Sequence, residues 1–124
     1  KKALETAPHR LKRRFIHHRY AAMPMECRGV VADYESRTDT LTIWSSSQVV
    51  HWVRREVANA LDMPEDRVVC IAPDVGGGFG MKGGVFPEDA MCAWASMKLC
   101  KPVKWTATRS ESLVSDTMAA TPNA

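Results

Sequence analysis

A glycine-rich segment near the middle of the chain constrains its structure more than any other feature. Residues 76–82 read Gly-Gly-Gly-Phe-Gly-Met-Lys, and they follow closely on the apolar run Val-Val-Cys-Ile-Ala of residues 68–72. Glycine readily adopts positive φ and exposes its backbone N–H without a Cβ. The pattern predicts a strand that ends in a loop of bare backbone, which suits an anionic or planar cofactor. Composition alone is equally compatible with an ordinary glycine-rich turn.

Two known phosphate-binding loops can be compared with this segment. A Walker loop is excluded, because no Ser or Thr follows Lys82. The spacing of Gly78, Gly80 and Gly83 fits the dinucleotide pattern G-x-G-x-x-G, but the next helix is predicted to start only near Pro87. No strand ending in an acidic residue follows at about twenty residues. A nucleotide-binding α/β module is therefore an alternative and not the first choice.

The length and composition indicate one globular domain. The chain has 124 residues, of which 45% are hydrophobic and 25% are charged, and this is enough apolar material for one modest core. The sequence has no apolar run of about 18 residues and no signal segment at its start. We therefore expect a cytoplasmic protein without a membrane span.

Positive charge is concentrated at the start of the chain. The net charge is +3, but residues 1–19 alone contain seven Lys or Arg residues and one Glu. Such a basic arm favours phosphate or acidic partners, so a non-catalytic interaction domain is a second alternative. Nucleic acid is not expected as a partner, since only Phe15 and Tyr20 nearby could stack on bases.

The cysteine and histidine spacing does not predict a metal site. The four cysteines form no C-x-x-C pair and have no histidine at zinc-finger spacing: Cys27, Cys70, Cys92 and Cys100. His17 and His18 are adjacent, but a metal ion would need further ligands at suitable spacing. We expect no metal site and free, buried thiols in a reducing compartment.

The alternation of apolar and polar residues predicts an α+β fold, a two-layer sandwich. The predicted elements are strands 29–34 and 40–45, helix 48–61, strand 67–73, helix 88–99 and strand 103–106. This order, β-β-α-β-α-β, suits one mixed sheet covered by two helices. Ser45, Ser46 and Ser47 are candidate N-caps of the first helix, and residues 109–112 are predicted to form a polar turn. Helix 88–99 is apolar nearly all round, so we expect it to be buried on most sides, partly against protein outside this chain.

Four motifs in a fixed order resemble one enzyme family. They are Pro-Met-Glu-Cys-Arg-Gly at 24–29, Trp-Ser-Ser-Ser-Gln at 44–48, Ala-Pro-Asp-Val-Gly-Gly-Gly-Phe-Gly-Met-Lys at 72–82 and Pro-Val-Lys-Trp at 102–105. Together they resemble the molybdopterin-binding large subunit of the xanthine dehydrogenase, aldehyde oxidase and aerobic carbon monoxide dehydrogenase family. That subunit is several hundred residues long, so the resemblance implies a fragment. We interpret residues 1–20 as a basic linker, 21–117 as a partial molybdenum cofactor-binding domain and 118–124 as a tail.

The resemblance implies cofactor-binding residues in two of these motifs. Gln48 matches the glutamine that hydrogen-bonds an oxo ligand of molybdenum, and an amide donor at a helix start suits that role. Gly77, Gly78, Phe79 and Gly80 match the loop that lies against molybdopterin. In this loop, backbone amides serve the cofactor and the Phe79 ring shields the reacting centre.

Gly83 is implied as a substrate-pocket position. Purine-oxidising members of the family carry a glutamate directly after the loop lysine, and this chain has Gly83 there. Xanthine is therefore not the expected substrate. The segment Met-Lys-Gly-Gly-Val of residues 81–85 is more similar to the carbon monoxide dehydrogenase-like and aldehyde-type bacterial branches.

The resemblance implies an activity to which this chain contributes only part of the site. The parent enzyme would oxidise an aldehyde, an N-heterocycle or carbon monoxide, and would pass electrons to FAD and iron–sulfur clusters on partner domains or subunits. The general base of the family lies near its C-terminus, so no catalytic residue is expected here and the isolated chain should be inactive. We expect four carboxylates to be surface or structural groups: Glu26, Glu56, Glu88 and Glu111. The expected partners are the rest of the large subunit, FAD-binding and iron–sulfur subunits, and a small-molecule substrate.

Overall fold

A four-stranded mixed sheet forms the centre of this computed structural model, which describes residues 2–16 and 22–116. The strands are β1 (Gly29–Glu35), β2 (Thr40–Ser45), β3 (Val68–Ile71) and β4 (Val103–Thr106). The helices are α1 (Lys2–Thr6), α2 (Val50–Ala60), α3 (Pro87–Leu99) and α4 (Arg109–Ser115), with a 3₁₀ turn at Glu65–Arg67. The sheet order is β3-β2-β1-β4. Strand β1 runs antiparallel to β2 and β4, whereas β2 and β3 are parallel.

The core lies between one face of the sheet and helices α2 and α3. Alternate residues of β1 and β2 point to this face, because successive side chains of a strand lie on opposite sides. The buried members of the core are Val30, Ala32, Leu41, Ile43, Val53, Val57, Ala58, Val68, Cys92 and Ala93. Burying one Val, Leu or Ile side chain contributes roughly 1.5–3 kcal/mol, so this cluster holds the helices on the sheet. The predicted α+β class, mixed sheet and order of strands and main helices are confirmed.

Helix α2 begins at Val50 and not at residue 48, and the serines before it do not cap it. Its N-cap is Val49, which makes no side-chain capping bond. Ser45 and Ser46 donate to carboxylates elsewhere in the fold, and the Ser47 hydroxyl accepts from the Val49 N–H at 3.0 Å. The N-cap prediction is wrong because other contacts occupy these hydroxyls.

Strand β3 is shorter than predicted. It covers Val68–Ile71 and not residues 67–73. Within the described ranges its partner in the sheet is β2, and the last pair in their register joins Ile71 to Trp44. Since β2 ends one residue later, no described strand extends far enough to pair with the chain beyond Ile71.

Helix α4 replaces the polar turn predicted at residues 109–112. Thr108 caps this helix, because its hydroxyl accepts from the Glu111 N–H at 3.2 Å. In return, the Glu111 carboxylate accepts from the Thr108 N–H at 2.7 Å. This reciprocal capping box has the spacing Thr-x-x-Glu, which is visible in the sequence and predicts a helix start.

Helix α3 is not buried on most sides within this chain, and its expected burial against protein outside the chain stays a prediction. Met91, Trp94 and Leu99 are 66%, 55% and 62% exposed, whereas Cys92 and Ala93 face the core. The small residues of the helix pack on the sheet, and its large apolar residues point outward.

No helix in the described ranges, α3 included, is long and apolar enough to cross a membrane.

The four cysteines are free, but the prediction that all are buried is wrong. Only Cys92 is buried; Cys27 and Cys70 are half-buried, and Cys100 is exposed where α3 ends. Burial and the nearby Asp89 carboxylate raise the pKa of the Cys70 thiol to about 11. This thiol therefore stays protonated at neutral pH.

The sheet topology does not support the nucleotide-binding alternative. In a dinucleotide-binding fold, the strand that follows the glycine loop and its helix lies next to the strand before the loop, in a mostly parallel sheet. Here β4 runs in the same direction as β3 but lies at the opposite edge of the sheet, with β2 and the antiparallel β1 between them. Helix α3 also begins at Pro87, four residues beyond Gly83.

Arg28 joins the start of β1 to helices α3 and α4. Its buried guanidinium donates to Glu88 at 3.1 and 3.4 Å, to Ser115 at 3.2 Å and, through Nε, to Asp116. The guanidinium carbon lies 3.7 Å from the centre of the Phe86 ring. Burial by itself would lower the pKa of Arg28, but the two carboxylates raise it. Arg28 therefore remains charged within the fold.

We expect Arg28→Ala to reduce the free energy of unfolding by about 3–5 kcal/mol, because it leaves the buried Asp116 carboxylate and the half-buried Glu88 carboxylate without a counter-ion. The matched control is Arg37→Ala, which removes an exposed Arg37–Glu35 pair and should cost at most about 1 kcal/mol. Chemical denaturation followed by circular dichroism measures both values. Equal losses in the two variants would contradict the role assigned to Arg28.

Candidate functional site

Glu26 holds the start of the glycine loop, which connects β3 to α3. Its carboxylate oxygen Oε2 accepts from the Gly76 N–H at 2.9 Å, and its backbone N–H donates to the Gly76 carbonyl at 3.1 Å. A Cβ at position 76 would lie only 2.5 Å from the Glu26 Cβ. Position 76 therefore requires glycine for the two segments to approach each other.

Gln48 holds the other end of the loop. Its side-chain Oε1 accepts from the backbone N–H groups of Gly80 at 3.1 Å and Lys82 at 3.3 Å. Its backbone N–H donates to the Lys82 carbonyl at 3.0 Å. Because a backbone N–H can only donate, these contacts fix the amide with Oε1 toward the loop. The Nε2 donor of this exposed residue has no acceptor within residues 2–16 and 22–116.

Three loop glycines shape the backbone around Gln48. A Cβ at Gly78 would lie 2.4 Å from Cδ and Oε1 of Gln48, so this side chain occupies the space that a side chain at 78 would need. Gly77 and Gly80 have φ values of +95° and +89°, in the left-handed region that favours glycine. The structure thus brings together Gln48, Gly77, Gly78 and Gly80, as the sequence predicts for a shared site.

Phe79 lies in the same loop with a strained backbone and an exposed ring. Its φ is +53°, which is unusual for a bulky residue, and it is 65% exposed. In the described part of the chain, the N–H groups of Gly78 and Phe79 have no acceptor. Successive N–H groups beside left-handed residues form concavities that bind anions. With Nε2 of Gln48, the loop can therefore offer three donors to an external oxygen-rich group.

Lys82 is almost completely enclosed, with 1% of its surface exposed. Its Nζ donates to Oε2 of Glu26 and to Oγ of Ser46, both at 2.6 Å, and Oγ of Ser46 donates to the same carboxylate oxygen at 2.6 Å. Partial burial by itself would raise the pKa of Glu26, but hydrogen bonds from Lys82, Ser46 and Gly76 hold it below its usual value. Glu26 is therefore charged at neutral pH and neutralises Lys82.

Sequence patterns assign no site role to Glu26, Ser46 or Lys82. They belong to three different motifs, and Glu26 and Lys82 are 56 positions apart, so no local spacing connects them. The signal that could have identified them is chemical, since a lysine held in a closely packed glycine loop needs a counter-ion. The expectation that Glu26 is a structural carboxylate agrees with its contacts.

Gly83 is half-buried just beyond this cluster. Its N–H donates to the Gly80 carbonyl at 3.2 Å, and a Cβ at position 83 would lie 3.1 Å from the same oxygen. A side chain at this position would require the loop to shift by a few tenths of an ångström. A place for Gly83 in a substrate pocket remains a prediction.

The site offers hydrogen-bond donors and not metal ligands. Across the described ranges, no three His, Cys, Asp or Glu side chains form a group that could hold a metal ion. His17 and His18, which the sequence analysis considered, lie outside these ranges. Backbone and amide donors of this kind suit the oxygens of an anionic cofactor.

In the described ranges, the fold leaves backbone and amide donors of the glycine loop without acceptors. The chain belongs to the molybdopterin cofactor-binding domain family, whose model matches residues 1–122. It is 42% identical over 117 residues to the nicotine 6-hydroxylase large subunit of Paenarthrobacter nicotinovorans, covering 94% of this chain and 14% of that protein. It is 36% identical over 107 residues to the carbon monoxide dehydrogenase large chain of Hydrogenophaga pseudoflava, covering 86% and 13%.

A solved structure shows the same fold. Quinoline 2-oxidoreductase from Pseudomonas putida 86 is similar with a TM-score of 0.78 and 35% identity, covering 96% of this chain and 15% of that one. The chain thus spans 13% to 15% of the length of these relatives. The predicted family is confirmed, whereas the individual contacts of the site residues with a cofactor remain predictions.

We expect Gly78→Ala to displace the Gln48 side chain and to reduce the free energy of unfolding by about 1–3 kcal/mol. The matched control is Gly29→Ala, whose Cβ would meet its nearest atoms at an ordinary 3.6 Å. This change should leave stability unchanged or raise it by up to about 1 kcal/mol, because alanine loses less backbone entropy on folding. Urea denaturation measures both changes. Equal stability of the two variants would show that the loop tolerates a side chain at position 78.

Acidification should destabilise the wild-type protein more than it destabilises the Glu26→Gln variant. The pKa of Glu26 is lower in the folded state than in the unfolded state. Its charge therefore stabilises the fold at pH values above the unfolded-state pKa of about 4.3, and this stabilisation is lost as the pH falls through the folded-state pKa. Urea denaturation from pH 7 down to about pH 3 should therefore show the two free energies of unfolding converging. A difference that stays constant with pH would contradict the ion pair.

Proposed function

We propose that this chain forms one wall of the molybdopterin site in a molybdenum hydroxylase large subunit. The parent enzyme oxidises an aldehyde, an N-heterocycle or carbon monoxide. The family match and the similarity to large subunits named for nicotine and carbon monoxide support this proposal. The isolated chain is inactive, because a large cofactor is held by convergent contacts from several walls of a concave site.

The anchored amide of Gln48 is the observation that carries the proposal. Gly80 and Lys82 occupy its oxygen, so the group that it can offer to a ligand is a donor. The N–H groups of Gly78 and Phe79 follow in the adjacent loop, and the Gly78 position is close-packed against Gln48. Preorganised donors of this kind bind oxygen-rich anions without first rearranging.

Each residue of the loop has a separate role in this proposal. When bound, the molybdenum cofactor supplies the two-electron oxidation of the substrate. Nε2 of Gln48 and the N–H groups of Gly78 and Phe79 bind and orient the cofactor by hydrogen bonds. Gly77 and Gly80 allow the tight turn that exposes these donors, and the Phe79 ring excludes water from the reacting centre.

The substrate pocket and the partners follow from residues around the loop. Because Gly83 brings no carboxylate to the pocket, we propose a substrate other than a purine.

The exposed apolar side of α3 around Trp94 packs against the rest of the large subunit, and FAD-binding and iron–sulfur subunits accept the electrons. Residues 1–20 act as a linker to the domain at 21–117, and the protein is cytoplasmic. The basic arm as an independent interaction domain stays an alternative that no described contact favours.

We expect Gln48→Glu to lower the molybdenum and pterin content of the full-length protein about tenfold or more, the effect of losing a hydrogen bond to a charged group. A glutamate keeps an oxygen for Gly80 and Lys82 but replaces the outward donor with an acceptor. The matched control is Asn59→Asp, the same chemical change on the exposed side of α2. Metal analysis and pterin fluorescence measure the content. Equal content in both variants would contradict a donor role for Gln48.

A further inference from the structure

The side chains of Glu26, Ser46 and Lys82, here called the anchor cluster, bond one another and contribute no donor to the cofactor in the function proposed above. We infer that they are positioning residues, which hold the loop and the Gln48 amide in their binding geometry before any ligand arrives. The inference rests on the proposed function only where it says that this geometry serves cofactor binding. The geometry itself can be tested without a cofactor.

The anchor cluster connects the two ends of the loop. Glu26 bonds Gly76 through both its carboxylate and its backbone N–H, which fixes the start. The Lys82 backbone bonds Gln48 through both its N–H and its carbonyl, which fixes the end. The ion pair of Lys82 with Glu26 at 2.6 Å then ties these ends together.

The Lys82 side chain makes this arrangement sensitive to Glu26. Its ammonium is enclosed, and both hydrogen-bond acceptors that the structure shows for it belong to the anchor cluster. Without Glu26, the enclosed charge is unpaired and Lys82 must move to reach water. Because the Lys82 backbone carries the bonds to Gln48, such a movement also releases the amide whose orientation the site requires.

A purely local role for Glu26 would have a different consequence. Its bonds to backbone atoms of the loop are with Gly76 alone, whereas Oε1 of Gln48 accepts from the backbone N–H groups of Gly80 and Lys82. If Glu26 stabilises only the position of Gly76, its loss removes the protection of the Gly76 amide alone. If it positions the whole loop, its loss also exposes the distant amides of Gly80 and Lys82.

Hydrogen–deuterium exchange with residue resolution, on the full-length protein purified without cofactor, distinguishes the two roles. The variants are Glu26→Gln, Lys82→Met and their combination. The matched control is Glu65→Gln, which breaks the more exposed pair with Arg54. In Glu26→Gln we expect the amides of Gly80 and Lys82 to exchange about tenfold faster or more, as for the loss of a charge-assisted hydrogen bond. Exchange in α2 and in the control should not change.

The double variant separates positioning from simple stability. Removing both charges eliminates the unpaired ammonium, so thermal stability should recover relative to Glu26→Gln. The tie between the loop ends is still absent, so the amides of Gly80 and Lys82 should remain unprotected. Full protection in the double variant, or a change confined to Gly76 in Glu26→Gln, would overturn the inference.

Cofactor content of the same variants separates this inference from the proposed function. If Gln48→Glu loses molybdenum but Glu26→Gln keeps the Gly80 and Lys82 amides protected, positioning is refuted and the proposed function stands. If Glu26→Gln unprotects these amides while Gln48→Glu and Glu26→Gln both keep full molybdenum content, positioning stands and the proposed role of the site is refuted.

Discussion

The ion pair between the enclosed Lys82 and the partly exposed Glu26 is the interaction on which the site depends. An ammonium with 1% exposure is tolerated only beside a counter-ion and further acceptors, because removing a charge from water costs several kcal/mol. Glu26 supplies the counter-ion and Ser46 the second acceptor. Since these residues come from three separate motifs, satisfying one charge brings together the segment before β1, the end of β2 and the glycine loop.

A second buried cation, Arg28, fixes the segment before β1 in place. Arg28, two residues after Glu26, pairs with Glu88 at the start of α3 and with Asp116 beyond α4. The short segment before β1 is therefore fixed to the loop on one side and to the helices on the other. The loop is thus joined to the helices through polar contacts of Glu26 and Arg28, although most of the loop lies outside the core. These contacts help a run of glycines to keep one defined shape.

Local patterns in the sequence are sufficient for the elements and for the outline of the site. Alternating residues such as Leu41 and Ile43 report burial on one face, and the motif around Gln48 and the glycines marks the loop. The role of the Ser46 hydroxyl could not be predicted in this way, because it donates to Glu26, a residue distant in sequence. Helix α4 differs, since the capping box at Thr108 is a local signal that predicts it. Long-range charge pairing was therefore the information that sequence spacing did not contain.

The loop is shaped at an energetic cost that its surroundings must offset. A bulky residue at positive φ, such as Phe79, costs about 1–3 kcal/mol, and each glycine adds backbone entropy to be lost on folding. The bonds from Glu26, Gln48 and the enclosed Lys82 maintain this shape. A loop that is already ordered loses less conformational freedom when it binds, which favours affinity and fixes orientation. The exposed Phe79 ring gains little from burial within this chain, which agrees with the proposal that the ring covers a bound group.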